Sequence, residues 1–246
     1  MRAESAERIL AALAPSDLVL DVGGWACPFN RANWVLDAQP HATRGFYATQ
    51  GLPASQGGEV EHFTESTWVV RDICDREPWP FRDQHFDFSI CSHTLEDVRD
   101  PIGVCAELVR VSKRGYIEVP SRLAESCRGA ESPDFAGLSH HRWLIEDLGN
   151  HLRFTMKYHM LHGDRRLSFP ASFRRRLSEE ESTLCFFWDG AFTFSETELH
   201  GLVAIHDELA KYVRARYQYP AHRALADHLR QLARRFTGGL VRRLGR

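Results

Sequence analysis

Short apolar runs alternate with polar segments along the first half of the chain. Five of them have the length and residue types of buried strands: residues 18–22, 34–37, 68–72, 86–91 and 116–120. Strands that alternate with helices or loops in this order predict a parallel, doubly wound sheet, and therefore an α/β fold.

The segment between the fourth and fifth strands has the pattern of an amphipathic helix over residues 102–112. Asp100 is a suitable N-cap, and Pro101 suits the first helical position because the missing N–H would be unpaired there. Lys113 and Arg114 mark the end. The predicted buried stripe consists of Ile102, Cys105, Leu108 and Val109.

The second half of the chain has fewer clear patterns. Residues 153–162 and 183–188 predict later strands, which could form a closing hairpin at the sheet edge. Apolar positions at helical spacing predict a long helix with Leu199, Leu202, Ile205, Leu209 and Val213. A second set after Pro220 consists of Leu225, Leu229, Leu232 and Phe236. We therefore predict one α/β domain over residues 1–195 and a helical C-terminal extension over residues 196–246.

Residues 39–66 form a long stretch rich in Gly, Pro, Ser and Thr without periodicity. Loops of this length are usually functional or disordered. Phe46, Tyr47 and Phe63 could pack over a ligand, so we expect a lid that orders on binding. The alternative is a disordered surface loop without a role in binding.

Polar residues follow the ends of several predicted strands. Gly23 and Gly24 follow the first strand, where the absence of a Cβ lets the backbone approach a ligand. The turn lacks the third glycine of a dinucleotide fingerprint. Asp37 ends the second strand and Asp72 the third. A block of polar residues, 92–98, follows the fourth strand.

These residues, in this order, resemble the class I S-adenosylmethionine (SAM) dependent methyltransferases over residues 18–120. The resemblance implies a Rossmann-like fold with a mostly parallel seven-stranded sheet flanked by helices, and SAM as cofactor. It implies that Asp37 accepts hydrogen bonds from the ribose hydroxyls, that Asp72 accepts one from the adenine amino group, and that Ile73 lies against the adenine ring. The full set of expected cofactor-binding residues is Asp21, Gly23, Gly24, Trp25, Asp37, Asp72, Ile73, Ser92 and His93.

Two features depart from that family pattern. Residues 24–34 leave little room for the usual first crossover helix, and Pro28 favours a loop there. Asp97 stands where many relatives have a histidine, so the resemblance assigns it no role.

Three residues outside the cofactor half are candidates for the chemistry of methyl transfer. Glu118 ends the fifth strand, and His140 and His141 precede a helix that we expect to begin near Arg142. Together they could act as base and orienting group, or bind a divalent ion such as Mg²⁺. The alternatives are a surface His-His pair that caps the helix and a solvated Glu118. His93 is the rival base.

The motif pattern also restricts the acceptor. The chain lacks the Asn-Pro-Pro-Tyr or Asp-Pro-Pro-Tyr run of amino-methylating DNA enzymes, and it lacks a basic patch with interleaved aromatics for RNA. The later Gly-x-x-His-His-Arg-Trp segment resembles bacterial sugar O-methyltransferases, including the mycobacterial methylmannose polysaccharide type. We expect a hydroxyl of a sugar, oligosaccharide or small metabolite as acceptor. The alternative is a non-catalytic relative that keeps the fold for binding or scaffolding.

Composition adds few constraints. The net charge of −2 over 246 residues favours neither nucleic acid nor membrane as a partner, and a homodimer is left open. Six cysteines without a Cys-x-x-Cys pair argue against a zinc knuckle and indicate a reducing compartment. The apolar stretch 9–14 is too short for a membrane span, so we expect a cytoplasmic protein. The basic segment 220–246 is either a solvated helix face or a contact for an acidic partner or membrane surface.

Overall fold

The computed structural model describes residues 1–218. The helix predicted after Pro220, the basic segment and most of the predicted extension lie outside the described residues.

Strands and helices occur in the predicted order in the first half of the chain. The strands are β1 (Val19–Val22), β2 (Trp34–Asp37), β3 (Trp68–Val70), β4 (Phe88–Ser92), β5 (Arg114–Pro120), β6 (Trp143–Asp147), β7 (His151–Met156), β8 (Thr183–Asp189) and β9 (Thr193–Glu196). The α-helices are α1 (Ala3–Ala12), α2 (Pro101–Val111), α3 (Arg122–Glu125), α4 (Met160–Gly163), α5 (Ala171–Arg174), α6 (Glu179–Ser182) and α7 (Leu202–Arg214). Short 3-10 helices lie at His41–Thr43, Phe46–Gln50, Glu65–Thr67 and Arg165–Leu167.

The main sheet has the order β3-β2-β1-β4-β5-β8. Its first five strands are parallel and β8 runs antiparallel to β5. The side chains of β1 and the middle of β5 are buried on both faces, as expected for the centre of an α/β sheet. The predicted Rossmann-like fold class is confirmed, with six strands in the main sheet of the described residues instead of seven.

A second sheet explains the difference in strand number. It contains β6, β7 and β9, and β7 therefore does not extend the main sheet. Trp143, Phe154 and Phe192 belong to the same apolar core as the main sheet. The strand predicted at 153–162 ends at Met156, and α4 follows.

Local signals placed α2 correctly. The backbone N–H of Gly103 donates to Asp100 Oδ1 over 2.9 Å, so Asp100 is the N-cap, and Pro101 begins the helix. The buried positions are Pro101, Val104, Cys105, Leu108 and Val111, so the stripe is turned slightly from the predicted one.

The predicted helix near residue 200 is also present as α7. Ile205 and Leu209 pack in one apolar cluster with Leu144 of β6 and Leu161 of α4. Leu202 begins the helix but is exposed. None of the described helices has both the length and the apolar character needed to cross a bilayer.

Candidate functional site at the carboxyl ends of the strands

The direction in which the strands are added to the sheet reverses between β1 and β4, and ligands of open α/β sheets bind at such a switch point. A cavity of about 690 Å³, called here the first cavity, opens at this place. Its lining comes from the ends of β1, β2, β3 and β4, from the loop of residues 39–66, and from the segment 138–140. Its volume lies in the range typical of small-molecule sites.

The turn after β1 contains two adjacent glycines, and a side chain at either position would clash with a neighbouring residue. Gly23 has a φ of +75°, and a Cβ there would lie 2.3 Å from Thr94 Oγ1. A Cβ on Gly24 would lie 2.2 Å from Asp21 Oδ2. Both positions therefore need glycine, because protein atoms already fill the space that a Cβ would take.

Asp37 ends β2 and faces the first cavity. Its Oδ2 accepts the backbone N–H of Trp25 over 3.1 Å, and its Oδ1 accepts that of Gln39 over 2.8 Å. Each oxygen keeps a lone pair for a further donor. Burial raises the pKa of Asp37, and the two backbone hydrogen bonds offset part of the rise. A diol donating to both oxygens would complete this arrangement.

Asp72 is partnered differently from the sequence-based expectation. Its Oδ1 accepts the N–H of Cys74 over 2.8 Å, and its Oδ2 pairs with the Arg99 guanidinium. The Arg99 guanidinium, helped by the Cys74 N–H, lowers the pKa of Asp72. Asp72 and Ile73 both line the first cavity, but a ligand amino group would have to share Asp72 with Arg99.

A second cavity of about 670 Å³ adjoins the first and is covered by α1. The two cavities share the lining residues Gly23, Ala26, Tyr47, Leu52 and His93. Asp21, Gly24 and Ser92 line only the second cavity, whereas Trp25, Asp37, Asp72 and Ile73 line only the first. The nine expected cofactor residues therefore surround one cleft with two halves.

Asp21 is buried beside this cleft. Its Oδ2 accepts the N–H of Phe29 over 2.8 Å. Burial raises the pKa of Asp21 to about 7, against the lowering effect of that hydrogen bond. The bond also holds residues 25–33 as a loop, so the crossover helix is absent here, as the sequence predicted.

Aromatic residues form one wall of the cleft. Trp25 stacks on Phe46 with ring centroids 4.9 Å apart, and Tyr47 lines both cavities. The expectation for Phe63 is wrong: it is buried against Trp68, with ring centroids 5.6 Å apart, on the other side of the loop. Phe46 and Tyr47 are thus the aromatic residues of the loop that can contact a ligand.

Glu118 is buried in a network of its own. Both of its carboxylate oxygens accept the N–H of Arg2, over 3.0 and 3.1 Å, and Oε2 also accepts the Tyr116 hydroxyl. His93 Nε2 lies 3.1 Å from Oε1. Burial would raise the pKa of Glu118, but the hydrogen bonds from His93 and Tyr116 outweigh it and lower the pKa to about 2.

The same network determines the charge of His93. Its Nδ1 lies 3.4 Å from Glu96 Oε1, on the side opposite Glu118. Burial would lower the pKa of His93, but hydrogen bonds to the two carboxylates outweigh it and raise the pKa to about 9. At neutral pH His93 is therefore an imidazolium, which has no lone pair with which to accept a proton.

The structure does not bring Glu118 together with His140 and His141. Glu118 is engaged by His93, Tyr116 and Arg2, so its grouping with the two histidines is corrected. The helix expected near Arg142 is also absent. The N–H groups of Arg142 and Trp143 both point to Glu96 O, at 2.6 and 3.3 Å, and the chain continues into β6.

Asp97 takes the place expected for Glu118. The potential ligand atoms of Asp97, His140 and His141 all lie within 4.8 Å of one another. Asp97 and His140 line the first cavity, and His141 is buried behind them. The backbone bonds from residues 142 and 143 to Glu96 bring these distant parts of the chain together.

Burial and neighbouring charges shift the pKa values of Asp97 and His141 in this trio. Burial raises the pKa of Asp97, and the charge of Glu96 adds to the rise. Burial would lower the pKa of His141, but Glu125, whose Oε1 lies 3.0 Å from Nδ1, outweighs it and raises the pKa. A carboxylate with a raised pKa is a better proton acceptor than an ordinary one. Asp97 is thus a candidate base that sequence reasoning missed.

Other residues of the cleft also escaped the sequence analysis. Thr94 and Leu52 line the cleft, and Glu125 and Lys157 support the trio from behind. Asp97 and Thr94 lie within the polar block 92–98, and the position of that block after a strand could have indicated them. Glu125 and Lys157 gave none, because their pairing across 32 residues depends on the tertiary structure.

Comparisons with known proteins give one family match. Residues 53–117 match the model of a family described as a methyltransferase domain. This segment contains β3, β4, α2 and the start of β5, and thus one side of the cleft. Over this segment the chain is similar to that family. No curated protein matches the chain.

Several solved structures are similar at low sequence identity. One is the Haloferax volcanii complex of the Trm112 methyltransferase activator with a proposed methyltransferase: 16% identity, 80% of this chain, 90% of that chain, TM-score 0.40. A SAM-dependent methyltransferase from Aquifex aeolicus has 19% identity over 48% of this chain and 64% of that chain, with a TM-score of 0.31. One from Methanosarcina mazei has 17% identity over 57% of this chain and 85% of that chain, with a TM-score of 0.34.

Proposed function

We propose that the protein transfers a methyl group from SAM to a hydroxyl of a sugar, oligosaccharide or small metabolite. The observation that carries this proposal is the cleft at the carboxyl ends of β1, β2, β3 and β4, with Asp37 on one side and Asp97 and His140 on the other. One end has the groups that suit an adenosine, and the other end has groups that can take a proton.

The residues of the cleft fit SAM in most respects. Gly23 lines both cavities and Gly24 lines the second, so the glycine turn borders the cleft. Asp37 has lone pairs free for the two ribose hydroxyls, and Ile73 offers an apolar surface to the base. The second cavity, beside Asp21, offers room for the methionine part. Asp72 is the exception, because its Oδ2 already pairs with the Arg99 guanidinium.

Bound SAM supplies an electrophilic methyl group on a sulfonium. A hydroxyl is a poor nucleophile at neutral pH, so the protein has to position it and help to remove its proton. Asp97 and His140 face the cavity and are the groups suited to this task. His93 lies between the carboxylates of Glu96 and Glu118, which favour its protonated form, so Asp97 is preferred to His93 as the base.

A variant series tests the assignment of the catalytic groups. Radiolabelled SAM is incubated with a panel of sugar and small-metabolite hydroxyl acceptors. Turnover should fall on the order of a hundredfold in Asp97→Asn and in His140→Ala, as expected when a proton acceptor is lost. Affinity for the demethylated product S-adenosylhomocysteine (SAH) should stay within a few fold, because neither residue belongs to the proposed adenosine side.

The matched control is His200→Ala, since His200 is highly exposed and outside the cleft. Full turnover in both cleft variants would contradict the assignment. SAH binding without methyl transfer to any acceptor would favour the alternative function, a non-catalytic binding or scaffold protein.

The loop of residues 39–66 is proposed to act as a lid. It carries Phe46 and Tyr47 over the cleft, and the 3-10 helix that holds them is flanked by Gly45 and Gly51, both with positive φ. Amide hydrogen exchange of these residues should slow on addition of SAH and acceptor, because closure excludes water. Equal exchange with and without ligands would show that the loop is no lid.

A further inference from the structure

Three side chains from two distant parts of the sequence meet at the wall of the first cavity. These are Asp97, His140 and His141, with all potential ligand atoms within 4.8 Å of one another. His141 Nε2 lies 3.9 Å from Asp97 Oδ1, which is too long for a hydrogen bond. Two ligands of one ion, each about 2.1 Å from it, lie about 3.4 Å apart in a tetrahedral site. The spacing therefore suits a shared ion after a small adjustment.

Asp97 has an unsatisfied acceptor at this point. Its Oδ1 is buried and has no hydrogen-bond partner within the described residues 1–218. A buried acceptor without a partner is destabilising, and more so when it is charged. A cation between Asp97 and the two histidines would satisfy it.

Glu125 orients His141 in the manner common for histidine ligands. Glu125 Oε1 lies 3.0 Å from His141 Nδ1, which leaves Nε2 facing Asp97. A carboxylate on the far nitrogen fixes the ring and the tautomer of a metal-bound histidine. The contact is an ion pair that places a carboxylate on the side of the His141 ring opposite Asp97.

The supporting carboxylate is itself held rigidly. Lys157 Nζ donates to Glu125 Oε2 over 2.7 Å and to Leu138 O over 2.6 Å. Gly137 has a φ of +60°, and a Cβ there would lie 2.2 Å from Glu125 Oε2. The loop that carries His140 and His141 is thus built around the buried Glu125–Lys157 pair, which pre-organises the site before an ion binds.

We propose that Asp97, His140 and His141 bind a divalent first-row transition metal ion of the Zn²⁺ type at the wall of the first cavity. Two imidazoles and one carboxylate suit Zn²⁺, Co²⁺ or Mn²⁺ better than Mg²⁺, which prefers oxygen ligands. The first cavity would supply the open coordination position, because Asp97 and His140 line it.

The role of the ion rests on the proposed function, with Asp97 and His140 then acting as ligands of the ion instead of accepting the proton directly. A metal-bound hydroxyl loses its proton to solvent more readily than a free one. The methyl carbon then forms a bond to that oxygen as its bond to the sulfonium sulfur breaks, and the sulfur keeps the electron pair. The acceptor class would be a hydroxyl that can reach the ion from the first cavity.

Titration of the metal-stripped full chain with Co²⁺, followed by its visible absorption, tests the site. One equivalent should bind, and Zn²⁺ but not Mg²⁺ should displace it. Asp97→Asn and His140→Ala should each weaken binding by about a hundredfold or more, and Glu125→Gln by about 10- to 100-fold as an outer-shell change. His200→Ala should bind Co²⁺ like the wild type. His140 is exposed, so His140→Ala should keep the fold.

Two results would overturn the proposal. One is the absence of stoichiometric Co²⁺ binding, and the other is unchanged Co²⁺ affinity and absorption in both ligand variants. SAH binding is measured in the same preparations. SAH binding without Co²⁺ binding refutes the metal site alone, and Co²⁺ binding without SAH binding refutes the proposed function while it supports the site.

Discussion

Asp37→Ala is expected to remove most of the thermal stabilisation that SAH gives to the protein. At a hundredfold excess over the dissociation constant, SAH should stabilise the wild type by about 2.7 kcal/mol. Asp37 accepts one N–H on each oxygen and has room for a diol, and two hydrogen bonds to a carboxylate are together worth about 3 kcal/mol. The affinity should therefore fall about a hundredfold, which leaves about 0.4 kcal/mol of stabilisation at the same SAH concentration.

Differential scanning fluorimetry measures this effect directly. For a chain of this size, 1 kcal/mol corresponds to about 2–4 °C in Tm, so the shift should fall from about 5–10 °C to about 1 °C. Each protein is referenced to its own Tm without SAH, because Asp37→Ala also loses the bonds to Trp25 and Gln39. Asp75→Ala, a half-exposed carboxylate paired with Arg71, is the matched control. A full SAH shift in Asp37→Ala would refute the placement of the ribose.

Glu118→Gln is expected to destabilise the fold by about 3 kcal/mol at pH 6. Removing one partner of a buried ion pair leaves the other charge uncompensated, which typically costs 3–5 kcal/mol. Glutamine keeps the shape and one acceptor, so the lower end applies. In the variant, the His93 imidazolium keeps only Glu96, and Tyr116 and Arg2 share a weaker acceptor.

The pH dependence of this difference has a defined sign. The pKa of Glu118 falls from 4.5 to about 2, so its contribution to stability is complete above about 4.5 and is lost as pH falls toward 2. The pKa of His93 rises from 6.5 to about 9, so its contribution is complete below about 6.5 and is lost as pH rises through 9. His93 is partly exposed, and solvent screening limits its share to about 1 kcal/mol. The difference between wild type and variant should therefore be largest between about pH 4.5 and 6.5.

Urea unfolding of both proteins from pH 5 to 9.5 measures the difference. Glu61→Gln is the control, since Glu61 pairs with Arg44 at the surface and such pairs contribute about 0–1 kcal/mol. A difference that stays constant above pH 6.5 would show that His93 is not the partner. Equal stability of Glu118→Gln and wild type would refute the buried network.

Much of the proposed cofactor half of the cleft followed from local patterns. Asp37 and Asp72 were predicted at strand ends because apolar runs stop at them, and the carboxyl ends of parallel strands meet at one edge. Asp100 and Pro101 marked the start of α2 through cap chemistry that involves only neighbouring residues. Predictions from such local patterns hold in the folded protein because they do not depend on contacts between distant residues.

The proposed acceptor half could not be predicted in the same way. Glu118 ends a strand, as expected, but its partners come from the chain start and from the end of β4. His140 and His141 were recognised as candidates, while their real neighbour Asp97 had no assigned role. The local sequence around a carboxylate at a strand end does not show whether that carboxylate faces a cavity or a buried imidazolium.

By itself, the sequence determined the α/β class, the positions of Asp37 and Asp72 at or just after strand ends, and the glycine turn, because periodicity and turn chemistry act over a few residues. The tertiary structure decided which charges meet. Glu96 O binds the backbone of residues 142 and 143, and this places Asp97 beside His140 and His141. The tertiary structure also pairs Arg99 with Asp72 and Glu118 with His93. Such pairings depend on distances between segments far apart in the chain, and those distances exist only once the core has packed.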